Sequence, residues 1–338
     1  MSKKGLFYIL FYLPCILVAQ LSDFKTIDFT KADEIAAQYQ GASLDNLPVL
    51  SYNLTNSLTT EVEKFRALYT WVCNNIENDY YASEKNSSKR KKWYKDSLQL
   101  AKWDTFFTME SFEKLKNEKK TVCTGYAYLI QEMSQFAGLK CEIINGYGRT
   151  TTKNIQKLSI PNHSWNAVYL NNKWYLCDAT WSSGFFDWEA SHFLDNFNGT
   201  YFLADPILFA KDHYPLDTKW LLTPIPITID DFLNGPIVYN STHTYGVIAI
   251  QPKILEIECK RGEMMTFYLK ESKPIEISNL YVELVSGSYR KSNEIKVTRL
   301  ENQLIEIKTT FQIKGTYDLH FKLNETYLIT YKITIKKE

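Results

Sequence analysis

The sequence predicts an α+β protein, in which a domain of helices followed by an antiparallel sheet precedes an all-β, immunoglobulin-like sandwich. Apolar residues recur at helical spacing up to Gly138 and then alternate as in strands, which is the order of an α+β domain. From Thr244 onward, short apolar runs recur about every ten residues, which is typical of a sandwich. At roughly 150 residues per domain, the 338 residues fit two domains, predicted at 21–240 and 241–338.

Three helices are predicted before the sheet. Thr60 and Glu63 have the spacing of a capping box, and apolar residues follow them at helical period. A second helix is predicted at 98–115. A third begins near Cys123 and ends at Gly138, which suits a left-handed helix stop.

The sheet is predicted to contain strands at 140–147, 165–170 and 173–178, with Asn171-Asn172 as a tight hairpin turn. Residues 201–240 hold five of the ten prolines, and we interpret them as an irregular strap that ends the first domain. The predicted sandwich strands, all antiparallel, are 246–250, 255–259, 266–269, 280–284, 295–300, 304–310, 317–323 and 327–335.

The composition is that of a globular protein and excludes several other classes. With 23% charged and 45% hydrophobic residues, the chain is neither disordered nor collagen-like. The 39 basic and 38 acidic residues give a net charge of +1, which provides no field to gather nucleic acid. The one dense basic run, at 83–95, is interpreted as a solvated loop because it is isolated in a neutral chain. We therefore expect no nucleic-acid partner.

Residues 1–20 predict a cleaved secretory signal peptide. Lys3 and Lys4 precede an apolar run at 6–18, after which the sequence becomes polar. This run is shorter than the ~20 residues of a membrane span, and no other run approaches that length. We expect a secreted or periplasmic protein without a membrane span. A lipid anchor on Cys15 is the alternative, but the residues before it lack the small side chain that such an anchor requires.

The cysteines predict a free thiol. Removal of the signal peptide leaves five of the six cysteines, and an odd number in an exported protein leaves at least one unpaired within the chain. Cys73 lies on the apolar stripe of a predicted helix, and Cys141 and Cys177 are also predicted to be core residues. Cys259 lies on a sandwich strand. Cys123 is therefore expected to be the free thiol.

Three reactive residues lie at the edges of predicted elements. Cys123 is at the start of a helix, where the macrodipole and free backbone N–H groups lower a thiol pKa. His163 opens one strand and Asp178 closes its hairpin partner, so the turn between them would bring the two side by side. Each residue alone also has an ordinary structural explanation. Together they predict a triad of thiolate nucleophile, proton-transferring imidazole and orienting carboxylate.

The sequence shows no pattern for a metal or cofactor site. It contains neither a C-x-x-C nor an H-E-x-x-H ligand pair, so zinc has little support. It also lacks a phosphate-binding loop, a dinucleotide glycine pattern and a G-x-S-x-G motif. We therefore expect no metal and no cofactor.

The motifs around these residues match a known family. The segments 122–127, 163–166 and 178–181 resemble the transglutaminase-like superfamily through the patterns Val-Cys-x-Gly-Tyr-Ala, His-x-Trp-Asn and Asp-Ala-Thr-Trp. Segments at 66–76 and 201–220 look most like its kyphoscoliosis-peptidase branch, whose members include secreted bacterial proteins with appended β-sandwich domains.

The resemblance covers roughly residues 30–240 and implies a papain-like fold with Cys123, His163 and Asp178 as the triad. It implies an exported cysteine-dependent acyl-transfer enzyme that acts on amide bonds of a protein or peptide substrate, including one associated with the cell envelope. Water would complete the reaction of a peptidase or amidase, whereas an amine acceptor would give a protein-crosslinking transglutaminase. Hydrolysis is favoured because the branch is peptidase-like. A non-catalytic binding or scaffold module on the same fold is the alternative.

Several residues near the motifs are candidates for a substrate cleft. Trp165, Trp181 and Tyr126 are expected either to line such a groove or to pack in the core. His213, in the proline-rich strap, either lines the cleft or pins the strap through a structural hydrogen bond. Cys177 alternates away from Asp178 on its strand and is therefore a predicted core residue. The backbone N–H of Cys123 is one expected oxyanion donor, and the second is sought in the preceding helix, at Gln99 or Trp103.

Overall fold

The computed structural model describes residues 21–150, 160–187 and 191–337, so the predicted signal peptide lies outside the described residues. Within those ranges, no helix is both long and apolar enough to cross a membrane. The helices of the described residues are α1 (Thr30–Gln38), α2 (Leu47–Thr55), α3 (Glu61–Asn75), α4 (Tyr80–Lys92), α5 (Ser97–Glu118), α6 (Cys123–Phe136), α7 (Ala179–Ser183), α8 (Pro206–Phe209), α9 (Ile229–Asn234) and α10 (Asn240–Tyr245).

The strands fall into an N-terminal and a C-terminal set. The first comprises β1 (Glu77–Asn78), β2 (Lys120–Thr121), β3 (Lys140–Gly148), β4 (His163–Leu170), β5 (Lys173–Cys177), β6 (Gly184–Asp187), β7 (His192–Asp195), β8 (His213–Pro215) and β9 (Ile237–Val238). The second comprises β10 (Val247–Gln251), β11 (Glu256–Lys260), β12 (Met264–Glu271), β13 (Leu280–Ser286), β14 (Tyr289–Asn293), β15 (Ile295–Arg299), β16 (Leu304–Thr310), β17 (Gly315–Leu323) and β18 (Thr326–Lys336).

Helix α3 confirms the predicted capping box and lies in the centre of the first core. The Glu63 carboxylate accepts the Thr60 backbone N–H at 2.9 Å, and the Thr60 hydroxyl accepts the Glu63 N–H at 3.3 Å. The apolar stripe that follows, including Phe65, Leu68 and Cys73, is buried. A local polar motif thus sets where the helix begins, and its apolar period sets which face enters the core.

The basic run at 83–95 was predicted as a loop, and this prediction was wrong, because most of it forms α4. The Asp79 carboxylate caps the helix by accepting the Ala82 N–H at 3.0 Å. Four basic residues fill the last turn, where they interact favourably with the helix dipole. No described residue of α4 is buried, which explains why the sequence shows no apolar period there.

The central sheet has the strand order β5-β4-β3-β8 and is antiparallel throughout. Helix α6 packs against β3 and β4. The predicted helix end and hairpin turn are confirmed. Gly138 ends α6 with a φ of 76°, and Asn171 and Asn172 join β4 to β5 with φ angles of 47° and 64°.

The proline-rich strap contains more regular structure than predicted, because β8 adds the fourth strand of the central sheet. In its register, Gly146 pairs with Pro215 and Gly148 with His213. The strand spans three residues, too few for any periodicity to reveal it. Its close approach depends on Gly146, where a Cβ would lie 2.2 Å from the Tyr214 carbonyl oxygen. This strand brings His213 into contact with Asp178 of the predicted triad.

The C-terminal strands form two facing sheets around a shared apolar core, as predicted. One sheet has the order β10-β12-β16-β15, and the other has β11-β18-β17-β13-β14 with β9 on β18. Two details differ from the prediction. The pair β11 and β18 is parallel. Strand β14 was not predicted, because its sequence Tyr-Arg-Lys-Ser-Asn is almost wholly exposed and polar.

The junction between the two parts is built from β9 and α10. Val238 pairs with Ile329 of β18. The hydroxyls of Ser241 and Thr242 donate to the backbone carbonyls of Tyr327 and Leu328. The predicted boundary after residue 240 therefore falls inside a segment that is hydrogen-bonded to the sandwich.

Candidate active site

Cys123 is the first residue of α6 and is partly exposed. The first N–H groups of a helix lack intrahelical acceptors, so this thiol lies where the backbone favours negative charge. The motif around it has a packing reason. At Gly125 any Cβ would clash with the Thr121 side chain, 2.1 Å away, and the Tyr126 hydroxyl donates to the Ile76 carbonyl. Small and aromatic residues at these positions hold the start of α6 against the preceding chain.

His163 and Asp178 meet at the edge of the central sheet. His163 opens β4, and its Nε2 lies 2.7 Å from Oδ2 of Asp178. Asp178 follows β5 and caps α7, because its Oδ1 accepts the backbone N–H groups of Thr180 at 2.8 Å and Trp181 at 3.3 Å. Since an ionised carboxylate only accepts, Nε2 of His163 donates. This leaves Nδ1 as the ring nitrogen that interacts with the thiol.

The charges at this site favour an ion pair. Burial raises the pKa of the Cys123 thiol, but the hydrogen bond and charge of His163 outweigh it, so that the pKa lies below its usual value. Burial lowers the pKa of His163, yet Asp178 and Cys123 raise it to about 10. Burial also raises the pKa of Asp178, and the two neighbouring histidines hold it below the usual range. Both shifts favour the pair of thiolate and imidazolium over the two neutral groups.

The other described cysteines have the opposite character. Cys73, Cys141, Cys177 and Cys259 are buried and form no disulfide. Burial raises the pKa of each thiol, to about 12 for Cys141. Among the cysteines that the structure describes, Cys123 is thus the one suited to act as a nucleophile.

His213 contacts the triad through Asp178. It is about 1% exposed, and its Nε2 lies 3.1 Å from Oδ2 of Asp178. The structure thus gives it the buried hydrogen-bonding position that was the alternative to a cleft residue. His163, Asp178 and His213 also form the one cluster of metal-ligand type in the described part of the chain, with donor atoms within 4.8 Å. Because Asp178 Oδ2 accepts from both rings, those atoms already satisfy one another.

A cavity of about 580 Å³ lies over Cys123 and His163. Trp181, one of the predicted cleft residues, lines it and stacks on His163 at 4.8 Å. Tyr239 and Tyr327, from the junction and the sandwich, stack on each other at 5.4 Å and complete the far wall. The aromatic residues of the lining are Tyr80, Trp181, Phe185, Phe186, Tyr201, Tyr239 and Tyr327.

Other predicted site residues lie elsewhere. Trp165 and Tyr126 are each 1% exposed and pack in the core, so their assignment to a cleft is corrected. Both faces of β4 are covered, so alternation along the strand does not show which side chains reach the surface. Neither suggested oxyanion donor lines the cavity. Trp103 is buried and donates its indole N–H to Asn86, while Gln99 is exposed on α5.

Sequence reasoning missed Asn78, which lines the cavity together with Cys123. Asn78 lies on β1 and pairs with Thr121 of β2. Thr121 precedes Cys123 by two residues, so this pairing brings Asn78 close to the start of α6. Both strands span two residues, so no period could reveal them.

Comparison with known proteins identifies the class of domain that carries this site. Residues 49–179 match the family model of the transglutaminase-like superfamily. The chain therefore contains a transglutaminase-like domain, as its motifs predicted, and Cys123, His163 and Asp178 all fall within the match.

The individual relatives agree with the branch that the sequence suggested. The chain is 31% identical to human kyphoscoliosis peptidase over 239 residues, which is 70% of this chain and 33% of that protein. It is 26% identical to Drosophila melanogaster Hillarin over 242 residues, which is 65% of this chain and 26% of that protein. The chain spans about a third or less of these relatives. A crystal structure from Parabacteroides distasonis aligns with a TM-score of 0.29 and 12% identity, over 89% of this chain and 52% of that one.

Proposed function

We propose that the protein is a cysteine-dependent acyl-transfer enzyme that acts on amide bonds of a protein or peptide. The arrangement of Cys123, His163 and Asp178 supports this proposal most directly. A thiol of lowered pKa at the wall of a cavity interacts with an imidazole that a buried carboxylate holds.

In this mechanism, the Cys123 thiolate attacks the amide carbonyl carbon and forms a tetrahedral intermediate. The His163 imidazolium then protonates the leaving amine, the C–N bond breaks and a thioester remains. His163 next removes a proton from water, whose oxygen attacks the thioester carbonyl carbon. The C–S bond then breaks, the carboxylic acid product leaves, and the Cys123 thiolate and the His163 imidazolium are restored. Asp178 accepts from Nε2 throughout and thereby keeps Nδ1 directed at the reacting atoms.

We propose hydrolysis rather than transfer to an amine. The triad is common to both reactions, and the preference rests on the relatives named as peptidases. The test incubates the protein with a Gln-containing protein and a primary amine, followed by mass spectrometry. Cleaved or deamidated product supports hydrolysis, whereas incorporation of the amine would establish transamidation instead.

The cavity suggests what the substrate carries next to the scissile amide. Apart from His163, its charged lining residues are Arg149 and Asp212, among the residues that the structure describes. Arg149 donates to the carbonyls of Phe232 and Gly235, and Asp212 accepts from two histidines. With these charges engaged within the protein and aromatic rings on the walls, we propose an uncharged peptide segment as substrate.

Peptides with leucine or phenylalanine beside the scissile bond are expected to show kcat/KM values about tenfold or more above those with aspartate or lysine there. The reason is that the described residues of the lining offer apolar surface, while their charged groups are engaged within the protein. Competition between matched peptides in one tube measures the ratio directly. A preference for the charged peptides would contradict the proposed substrate class.

The proposed oxyanion hole combines the backbone N–H of Cys123 with the side-chain amide of Asn78. Asn78→Ala is expected to lower kcat about 10²-fold, because one donor to the developing oxyanion is lost. The rate of Cys123 alkylation should not change, since the triad is intact. Asn78→Asp, which cannot donate when ionised, serves as the matched variant and should be equally impaired. Full activity of both variants would exclude this role.

Export through residues 1–20 and the domain limits at 21–240 and 241–338 remain proposals. N-terminal sequencing of the protein recovered from its native host tests the first, and limited proteolysis tests the second. A mature chain that retains residues 1–20 would contradict the export proposal.

A further inference from the structure

A buried chain of hydrogen bonds continues from the triad into the interior. From Asp178 it passes to Nε2 of His213 at 3.1 Å, and from Nδ1 of the same ring to Oδ1 of Asp212 at 2.7 Å. Oδ2 of Asp212 then lies 2.8 Å from Nε2 of His243. None of these residues is more than 8% exposed. We call His213, Asp212 and His243 the inner relay.

The donors and acceptors of this chain define its charges. An ionised carboxylate accepts and does not donate. With Asp178 and Asp212 both ionised, His213, which lies between them, can satisfy both only by donating from its two ring nitrogens as an imidazolium. Asp212 also accepts the hydroxyl of Tyr201 at 2.9 Å. Burial raises the pKa of Asp212, but His243 and His213 hold it below its usual range.

The charges of the whole cluster then alternate and cancel. The anions are Cys123, Asp178 and Asp212. The cations are His163, His213 and Arg149, whose buried guanidinium adds to the field at Asp212. Buried charges are tolerated when each has a partner of opposite sign, and removal of one partner leaves its neighbour uncompensated.

The last member of the relay is supplied by the junction with the sandwich. His243 lies on α10, where the neighbouring Thr242 hydroxyl donates to the Leu328 carbonyl of β18. Strand β18 belongs to the sandwich sheet. The position of His243 therefore depends on contacts that residues far along the chain provide.

We propose that His213, Asp212 and His243 are positioning residues that hold Asp178 ionised and directed at His163, and that the sandwich completes the triad by seating His243. The proposal rests on the proposed cysteine chemistry and extends it to residues that contact neither substrate nor thiol. Loss of a donor to Asp212 favours protonation of this carboxyl. A protonated Asp212 can donate to Nδ1 of His213, which then no longer has to carry a positive charge. Asp178 then loses a cation that lowers its pKa, so it is protonated at a higher pH, and His163 and the thiolate lose the charge of this carboxylate earlier as the pH falls.

The test compares His243→Leu with the conservative His243→Gln, which keeps a donor toward Asp212. The readout is the rate of Cys123 alkylation by iodoacetamide as a function of pH, which requires no substrate. His243→Leu is expected to move the acid limb upward by about one pH unit, because the thiolate is stabilised less. His243→Gln should restore most of the wild-type profile. On a peptide substrate, kcat should fall about tenfold in His243→Leu with little change in KM.

His320→Leu is the matched control. This sandwich histidine lies 2.7 Å from the Thr330 hydroxyl and packs edge-on against Tyr327, and neither contact is to a residue of the inner relay or the triad. It should leave the alkylation profile unchanged. If His243→Leu does not fold, Thr242→Val loosens the same helix and should shift the limb in the same direction.

A folded His243→Leu protein with the wild-type acid limb and kcat would overturn the relay. The proposed function fails separately, if Cys123 of the wild-type protein shows no enhanced reactivity at all.

Discussion

Replacement of Cys123 by alanine is expected to abolish amide turnover, with a loss of at least about 10⁴-fold in kcat/KM. The thiolate is the atom that bonds to the substrate carbonyl, and no other described cysteine has a lowered pKa. The measurement is the initial rate on an uncharged peptide, together with a thermal unfolding curve to show that the variant is folded.

Cys259→Ala provides the matched control. It makes the same chemical change on a sandwich strand, at a thiol that burial keeps protonated. We expect its activity to equal that of the wild-type protein. If Cys123→Ala retained more than about a hundredth of the wild-type rate, a nucleophile other than this thiol would have to be sought.

The change Asp178→Asn is expected to cost about 10³- to 10⁴-fold in kcat. An asparagine can still cap α7 with its carbonyl oxygen, so the fold should persist. Its NH₂ group would then face Nε2 of His163 and force that nitrogen to accept. The ring proton moves to Nδ1, where it prevents His163 from taking a proton from Cys123.

The pH profile of this variant gives a second signature. In the wild-type protein, Asp178 is the main group that raises the pKa of His163 to about 10, so the imidazolium persists until the pH rises through that value. Without the carboxylate, burial dominates and the imidazolium is lost at lower pH. The alkaline limb of kcat should therefore move to lower pH. Asp217→Asn, at an exposed cap, should move neither limb, and equal effects of the two changes would contradict the assigned role.

Local features of the fold follow from the sequence. The capping box at Thr60 and the paired asparagines at 171–172 act over a few residues, so their physics is present in the sequence itself. Helix α4 and strand β14 could not be predicted in this way, because neither buries an apolar face that would impose a period. Their structure depends on a cap and on a hairpin partner.

The residues of the site also differ in whether local sequence features predict them. Cys123, His163 and Asp178 could be proposed because each lies at the edge of a predictable element and in a specific motif. Asp212 and His243 are connected to the triad by tertiary contacts. The two residues bond to each other although they lie 31 positions apart in the sequence. Tyr327, which lines the cavity, is even farther from the triad residues in the sequence. Burial of Trp165 and Tyr126 also depended on packing that their types did not reveal.

The role of Cys123 as the nucleophile is tested most directly by alkylation of the folded wild-type protein with iodoacetamide at pH 7, with each modified cysteine located by peptide mass spectrometry. We expect rapid modification of Cys123, while Cys73, Cys141, Cys177 and Cys259 remain unmodified until the protein is denatured. If Cys123 reacts no faster than Cys141 or Cys177, the thiolate does not exist and the proposed enzyme activity is contradicted.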